Sequence, residues 1–273
     1  MGEMAEDRIY ADRLGKTDVY VATGLGVAVV SVSNDRIGQF SLTHRCEARD
    51  VAADGDRLLA ATEADVLVTA DPQDGEYRST GFGPAVAVGA GPADGGPVAA
   101  GSDGTVARYD GTDWTALGEV ADPRALDGDL LAAGNGVYRI DGGLDHVGLD
   151  DARDVAVGGA PLAATGEGCY RLGPGWTRDI EGAFETVASH GERAHAATNE
   201  TLYERTDGEW AERSVPVDEP VADLTTTDDG GLVAVTTAGT CLVDPVAAKD
   251  GAEGWRHRSL GLPDVTAMAV LDA

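Results

Sequence analysis

A pentapeptide that occurs twice, letter for letter, constrains this chain more than any other feature. Ala48-Arg49-Asp50-Val51-Ala52 returns as Ala152-Arg153-Asp154-Val155-Ala156. Each copy is followed by the same kind of segment, Leu58-Leu59-Ala60-Ala61-Thr62 in one case and Leu162-Ala163-Ala164-Thr165 in the other. A unit repeated in this way cannot bury its own apolar residues. It must stack on its neighbours, so the repeat dictates the architecture before any single element does.

Extended along the chain, the unit has four short β segments. The first is rich in small residues: Asp50–Ala53, Ala85–Val88, Ala125–Leu126, Asp154–Val157, Thr186–Ser189 and Asp223–Thr226. The second is apolar and closes on Ala-Ala followed by Thr or Gly, as in Ala60-Ala61-Thr62, Ala99-Ala100-Gly101 and Ala196-Ala197-Thr198. The third alternates, as in Val137-Tyr138-Arg139-Ile140 and Cys169-Tyr170-Arg171-Leu172. The fourth opens on an aromatic after a Gly-rich turn, and all four tryptophans, Trp114, Trp176, Trp210 and Trp255, stand there. Tyr77 takes that place once, and the unit near Leu144 has no aromatic. No helical period separates the strands, which excludes an α/β fold. Four short strands per repeat with Gly turns predict an all-β chain folded as a β-propeller.

Counting orphans sharpens the prediction. Six first strands are followed by their three partners. A seventh, Val265–Leu271, has nothing after it, while Val19–Thr23, Val27–Val30 and Gln39–Leu42 at the start have no first strand before them. Joined, the orphans make one more blade. The expected fold is therefore a seven-bladed β-propeller of four-stranded blades in a single domain, 1–273. Residues 18–46 plus 265–271 form the closing blade, with an N-terminal arm over 1–17. Pairing the chain ends removes sheet edges that would otherwise invite aggregation. The stretches Thr225–Asp229 and Ala247–Gly254 read as loops.

Charge narrows the setting. The chain carries 48 acidic and 20 basic residues, a formal net charge of −28, and only Lys16 and Lys249 among its bases are lysines. The acids are scattered, so no acidic tail is implied. Such a surface repels itself in dilute buffer. In molar salt the Debye length falls to about 3 Å and the repulsion is screened. Acid excess, scarce lysine and small apolar side chains predict a cytoplasmic protein of a salt-loving archaeon. No broad basic face is available for nucleic acid or for an anionic membrane. Residues 1–17 lack the apolar core of a signal peptide, and no apolar run approaches the ~20 residues of a membrane span. Three cysteines at irregular spacing suggest no disulfide framework.

At Tyr10, Asp12-Arg13, Val19-Tyr20-Val21-Ala22, Val30-Ser31-Val32-Ser33, and Cys46 followed by Ala48-Arg49-Asp50, the chain resembles a haloarchaeal β-propeller family with no assigned activity. The resemblance runs the whole length. It implies the fold and the host and transfers no catalytic residue. An Asp-box pattern is only echoed at Asp110-Gly111-Thr112-Asp113-Trp114, so sialidase chemistry is not carried over.

The candidate site is the mouth of the central channel. The turns entering the innermost strands carry Arg49-Asp50, Arg124, Arg153-Asp154 and Asp223. Alignment puts Arg49, Arg124 and Arg153 at one equivalent position. Two readings are open. Three guanidiniums around one mouth can hold a carboxylate or other anion through bidentate bonds. Alternatively, each pairs with an acid of its own or the neighbouring blade and holds the ring together. His44-x-Cys46 supplies two soft ligands but no second pair at zinc spacing. Cys169 and Cys241 share one register and read as core. The arginines Arg108, Arg139 and Arg171 on third strands are expected to face solvent. Gly24-Leu25-Gly26 and Gly89-Ala90-Gly91 open no helix, so dinucleotide and phosphate-loop readings fail on context. The chain is thus expected to be a non-enzymatic binding scaffold without metal or cofactor, its partner a protein or a small molecule. The alternative is a small-anion sensor or an enzyme using the acids of the channel mouth.

Overall fold

The computed structural model describes residues 16–33, 36–93, 95–227, 230–245 and 254–272. These form seven four-stranded antiparallel sheets and no helix. The expected ring closure is present. The innermost strand of the first blade is Ala267–Asp272, which pairs with Lys16–Thr23, with Ala22 opposite Ala267 and Val19 opposite Val270. Gly26–Ser33 and Arg36–His44 complete that blade. Blades two to seven follow in chain order, each running from the inside outward.

Seven apolar clusters lie between consecutive blades. Period-2 alternation explains how one strand serves two of them. In Lys16–Thr23, Val19 and Val21 pack toward blade seven, against Val233, Val235 and Cys241. Tyr20 and Ala22 point the other way, against Val51, Leu58 and Ala60 of blade two. Both faces of every blade are therefore buried, which is why the second strands read as unbroken apolar runs. Residue size follows the fan geometry. Blades converge near the axis, where the Ala-Ala pairs sit fully buried. They splay apart outward, where Trp114 fills the gap between blades two and three beside Phe82, 4.7 Å between ring centroids. Trp176, Trp210 and Trp255 occupy the equivalent wedges.

The Thr after Ala-Ala has a local role. Thr165 Oγ1 donates to the Gly168 carbonyl and accepts from the Glu167 and Gly168 amides, closing the turn to the third strand. Thr23, Thr62 and Thr198 work in the same way. This is a side-chain turn of the Ser/Thr type, built in one residue.

Three expectations need adjustment. Inner strands begin up to two residues earlier than the small-residue runs, as at Ala48–Asp54 and Ala152–Ala156, because Ala48 and Ala152, two residues before the aspartate, still pair across a bulge. Thr225 and Thr226 belong to the strand Val221–Thr226 and not to a loop. Arg139 and Arg171 do not simply face water. They are half-buried and paired with Asp129 and Asp179, at 3.1 Å in each case. Of the arm expected over 1–17, Lys16 and Thr17 instead open the strand Lys16–Thr23, and the rest, with most of the 247–254 stretch, falls outside the described residues.

Candidate functional site

Six of the seven inner strands carry a bulge at the same place, between Ala48 and Asp50, Ala85 and Ala87, Pro123 and Ala125, Ala152 and Asp154, Phe184 and Thr186, and Val221 and Asp223. A bulge leaves one residue unopposed and re-aims its side chain. The unopposed residues are Arg49, Val86, Arg124, Arg153, Glu185 and Ala222. The predicted equivalence of Arg49, Arg124 and Arg153 thus has a structural cause.

All six candidate residues, Arg49, Asp50, Arg124, Arg153, Asp154 and Asp223, line one cavity of about 140 Å³ at this end of the channel. They do not share one job. Arg124 bridges Asp122 of its own blade, at 2.7 Å, and Asp151 at the entrance to the next, at 2.6 Å. Arg153 holds the other oxygen of Asp151 at 3.2 Å and forms an ion pair with Glu185 of blade six. Asp122, Arg124, Asp151, Arg153 and Glu185 thus make an alternating chain of charge across blades four, five and six. The Arg124 guanidinium, with Arg153 behind it, holds the Asp151 carboxyl below the usual carboxylate range. Asp122 and Asp151 sit at positive φ, 52° and 48°, which aims each carboxylate back at its arginine. Arg49 differs. Its successor in blade three is Val86, which offers no charge, and its contact is Glu47 at 3.5 Å on the exposed rim.

The aspartates one residue further in do something the sequence does not announce. An inner strand turns its unpaired edge to the channel, so its amides need acceptors. Asp50 takes the Val51 amide on one oxygen and the Val88 amide of the next blade on the other, both at 2.8 Å. Asp154 takes Val155 and Val187, and the Thr186 hydroxyl as well. Asp223 takes Leu224 and, across the closure, Met268. Three aspartates therefore serve six of the seven equivalent amides. The seventh belongs to Leu126, where the position before it and its counterpart in blade three are Ala125 and Ala87. Asp127, two residues on, reaches the Val157 amide of blade five at 2.7 Å.

Burial is the main force on these groups. It pushes Asp50 up to about 7 and Asp154 up to about 6, against the lowering effect of the amides. Asp223 is raised well above the ordinary value by burial and then by the charge of Asp154. A carboxyl raised on folding favours the folded state while it is protonated. That contribution is fully present below the unfolded pKa near 4 and is lost as pH rises through the folded value. His195, buried and lowered to about 4 by burial, pulls the other way below pH 6.5. A difference experiment isolates the aspartate. The melting temperature of Asp50→Asn relative to wild type is expected to rise between pH 5 and 8, by the equivalent of about 2 kcal/mol. A gap that stays constant with pH, measured in molar salt, would show that Asp50 does not titrate there.

On the far side of the aspartate ring the channel widens into a second chamber of about 430 Å³, walled by all seven inner strands. Asp50, Asp154 and Asp223 line both cavities and stand at their boundary. The sequence reading missed this chamber. Its signal was faint, namely that Asp127 and Thr225–Thr227 lie further along inner strands.

The remaining candidates resolve as packing. His44 lies against the Tyr77 ring at 4.7 Å, and Cys46 is half-buried with its thiol raised by burial. Cys169 and Cys241 are fully buried, the latter pushed up to about 12. Among the described residues no group of three or more His, Cys, Asp or Glu is spaced to hold a metal ion, and no helix is long and apolar enough to cross a membrane.

Comparison with solved structures gives the same ring. A chain of a nidogen/laminin complex superposes with a TM-score of 0.60 at 10% identity, covering 93% of this chain and 98% of that one. YCF48 bound to a D1 peptide gives 0.56 at 14% identity, covering 78% and 82%. The computationally designed protein Ika8 gives 0.61 at 14% identity, covering 92% and 86%. At these identities the likeness is one of fold. No curated protein matches the chain. A family model does, from residue 3 to residue 271, and by that match the chain belongs to the HVO_0234-like β-propeller family.

Proposed function

We propose that this protein is a non-enzymatic binding scaffold that presents the Arg49 side of its ring to a partner. The observation that carries the reading is how the three mouth arginines are used. Arg124 and Arg153 are engaged in ion pairs that run between blades, which is the work of a frame. Arg49 keeps donors that no acid of the next blade takes up. A guanidinium of this kind on a rigid rim is a contact point for a carboxylate or another anionic group. The ring fold holds partners elsewhere, as in the nidogen/laminin complex and in YCF48 with its D1 peptide. That is a use of the fold and names no partner here.

The same guanidinium, which meets only Glu47 of its own blade among the described acids, favours one second reading, a sensor that holds a small anion at the mouth. A melt and a titration separate the two. Arg153→Ala strands Glu185 and part of Asp151 in a half-exposed setting. The expected loss is roughly 1–3 kcal/mol, between the values for exposed and for buried pairs. Arg49→Ala is expected to change stability by no more than about 0.5 kcal/mol. For the scaffold, wild type shows no saturable heat with phosphate or acetate in molar KCl. Saturable anion binding that disappears in Arg49→Ala while the melt is unchanged would replace the scaffold with the sensor.

A further inference from the structure

The outer wall of the ring has a sector free of acids where blade seven meets blade one. Residues 36–46 and 254–263 contain no Asp or Glu, in a chain where about one residue in six is an acid. Between them they carry Arg36, His44, Arg45, Arg256, His257 and Arg258. The two stretches supply the outermost strands Arg36–His44 of blade one and Arg256–Ser259 of blade seven. These strands touch across the seam. Arg258 donates to the Gly38 carbonyl, and its guanidinium lies over the Phe40 ring, 5.3 Å from the centroid. We propose that this seam docks an extended acidic segment of a partner protein, which adds along the open edge of Arg36–His44 and turns its carboxylates toward Arg36 and Arg258.

The neighbouring seams show what is missing here. Arg205 of blade six lies 3.8 Å from Asp179 of blade five, and Arg213 of blade six pairs with Asp244 of blade seven. Each of these arginines meets an acid of the adjoining blade. Arg258 also reaches across to the adjoining blade, but finds a carbonyl and a ring there. Blade one cannot supply the acid, because its outer strand has none. Arg36 and Arg258 are both exposed, and neither forms an ion pair among the described residues. A guanidinium carries five N–H donors, and a carboxylate is the acceptor that fits its fork. The carboxylate that the other seams find within the ring can come to this one from outside.

The strand edge selects the kind of partner. Arg36–His44 has nine residues, whereas the other six outer strands have two to six. It ends its sheet, so its outward edge pairs with no strand. A long open edge is a template for another chain. Strand addition supplies main-chain hydrogen bonds, and side chains at every second position of the incoming segment share one face. Alternate acids in that segment therefore all turn toward the blade-seven side, where Arg258 stands. A second copy of this chain, paired edge to edge, would set two bands of the same sign against each other. Nucleic acid would carry its phosphates past two narrow strands onto a wall that holds the surplus of acids, and it has no backbone to continue a β ladder.

The test follows fluorescence anisotropy of labelled peptides with the full chain in molar KCl. Charges set in the seam are screened less than fully exposed ones, so the pairing should persist there. The probe is an alternating Thr-Glu decapeptide, and its neutral counterpart has Gln in place of Glu. The expected result is saturable binding of the Glu peptide, at least about tenfold tighter than the Gln peptide. Arg36→Gln together with Arg258→Gln is expected to remove that preference. Arg36→Gln alone, at an exposed position that leaves the seam contact in place, is expected to reduce it by about threefold. Arg49→Ala, at the channel mouth, should leave it unchanged, so failure here and failure of the scaffold reading are told apart. The peptide comparison is made on the wild type and stands even if the double variant does not fold. Equal binding of the two peptides, binding of neither, or tighter binding of an oligothymidylate than of the Glu peptide overturns the proposal. So does a double variant that folds and keeps the full preference.

Discussion

Deleting residues 265–273 is expected to abolish cooperative folding of the whole ring. The segment supplies the innermost strand of the closing blade, and its removal acts in three places at once. The Lys16–Thr23 strand loses every partner on its inner side, from Ala22 opposite Ala267 to Thr17 opposite Asp272, and becomes an open edge facing the channel. Two of the seven inter-blade clusters are cut. The one toward blade seven loses Val265 and Met268, and the one toward blade two loses Ala267, Ala269 and Leu271. Asp223 loses the Met268 amide, and losing the partner of a buried polar group costs about 1–3 kcal/mol. The losses are coupled, because blades one and seven are otherwise joined mainly through that cluster and a rim contact from Arg258 to the Gly38 carbonyl. A domain of this size has about 5–15 kcal/mol to lose. The truncated chain should therefore show a broad melt and bind a hydrophobic dye at temperatures where the full chain is folded and silent. A truncated protein that melts sharply at the full-length temperature would show that the ring does not depend on its clasp.

The clasp was legible in the sequence because strand count is a conserved quantity of a closed ring. Three strands without a first at one end, and a first without its three at the other, admit one arrangement. The alignment of Arg49, Arg124 and Arg153 was legible too, through the repeated pentapeptide. What those arginines pair with was not, since it depends on the residue one blade further on. Glu185 follows Arg153 in the ring, Val86 follows Arg49, and Arg124 reaches an acid in the turn before the next strand rather than in the strand itself. The role of Asp50, Asp154 and Asp223 was hidden for a different reason. Their hydrogen bonds go to backbone amides, which every residue carries, so no partner residue type betrays them. Only the unpaired edge of the inner strand makes those amides needy, and an edge is a property of the assembled ring. The chamber below was least legible of all. Seven short inner-strand stretches wall it, and most of their residues are small apolar ones that read alone as ordinary core.

Raising KCl from dilute buffer to the molar range is expected to raise the melting temperature steeply, on the order of 10 °C or more. Two electrostatic effects oppose each other. Salt weakens attractive pairs such as Arg139 with Asp129 and Arg49 with Glu47, which stand partly in solvent. Salt also weakens repulsion among the acids. The counts decide which effect wins. Twenty basic residues can neutralise at most twenty acids, and 48 − 20 leaves 28 without a counter-charge in the same chain. Exposed pairs are worth about 0–1 kcal/mol each, so their loss is small. The unmatched acids act together, since at low salt the Debye length of about 30 Å at 0.01 M reaches across several neighbouring charges, whereas about 3 Å at 1 M isolates each one. The compact state concentrates these charges and gains more than the unfolded chain when they are screened. The shape of the curve identifies the cause. Screening rises steeply at low salt and flattens toward the molar range, while exclusion of a co-solute from the surface grows steadily with concentration. Sucrose at matched osmolality should reproduce only the steady part. A melting temperature flat across the KCl range, or one that sucrose raises equally, would mean that the acid excess does not set the stability of this ring.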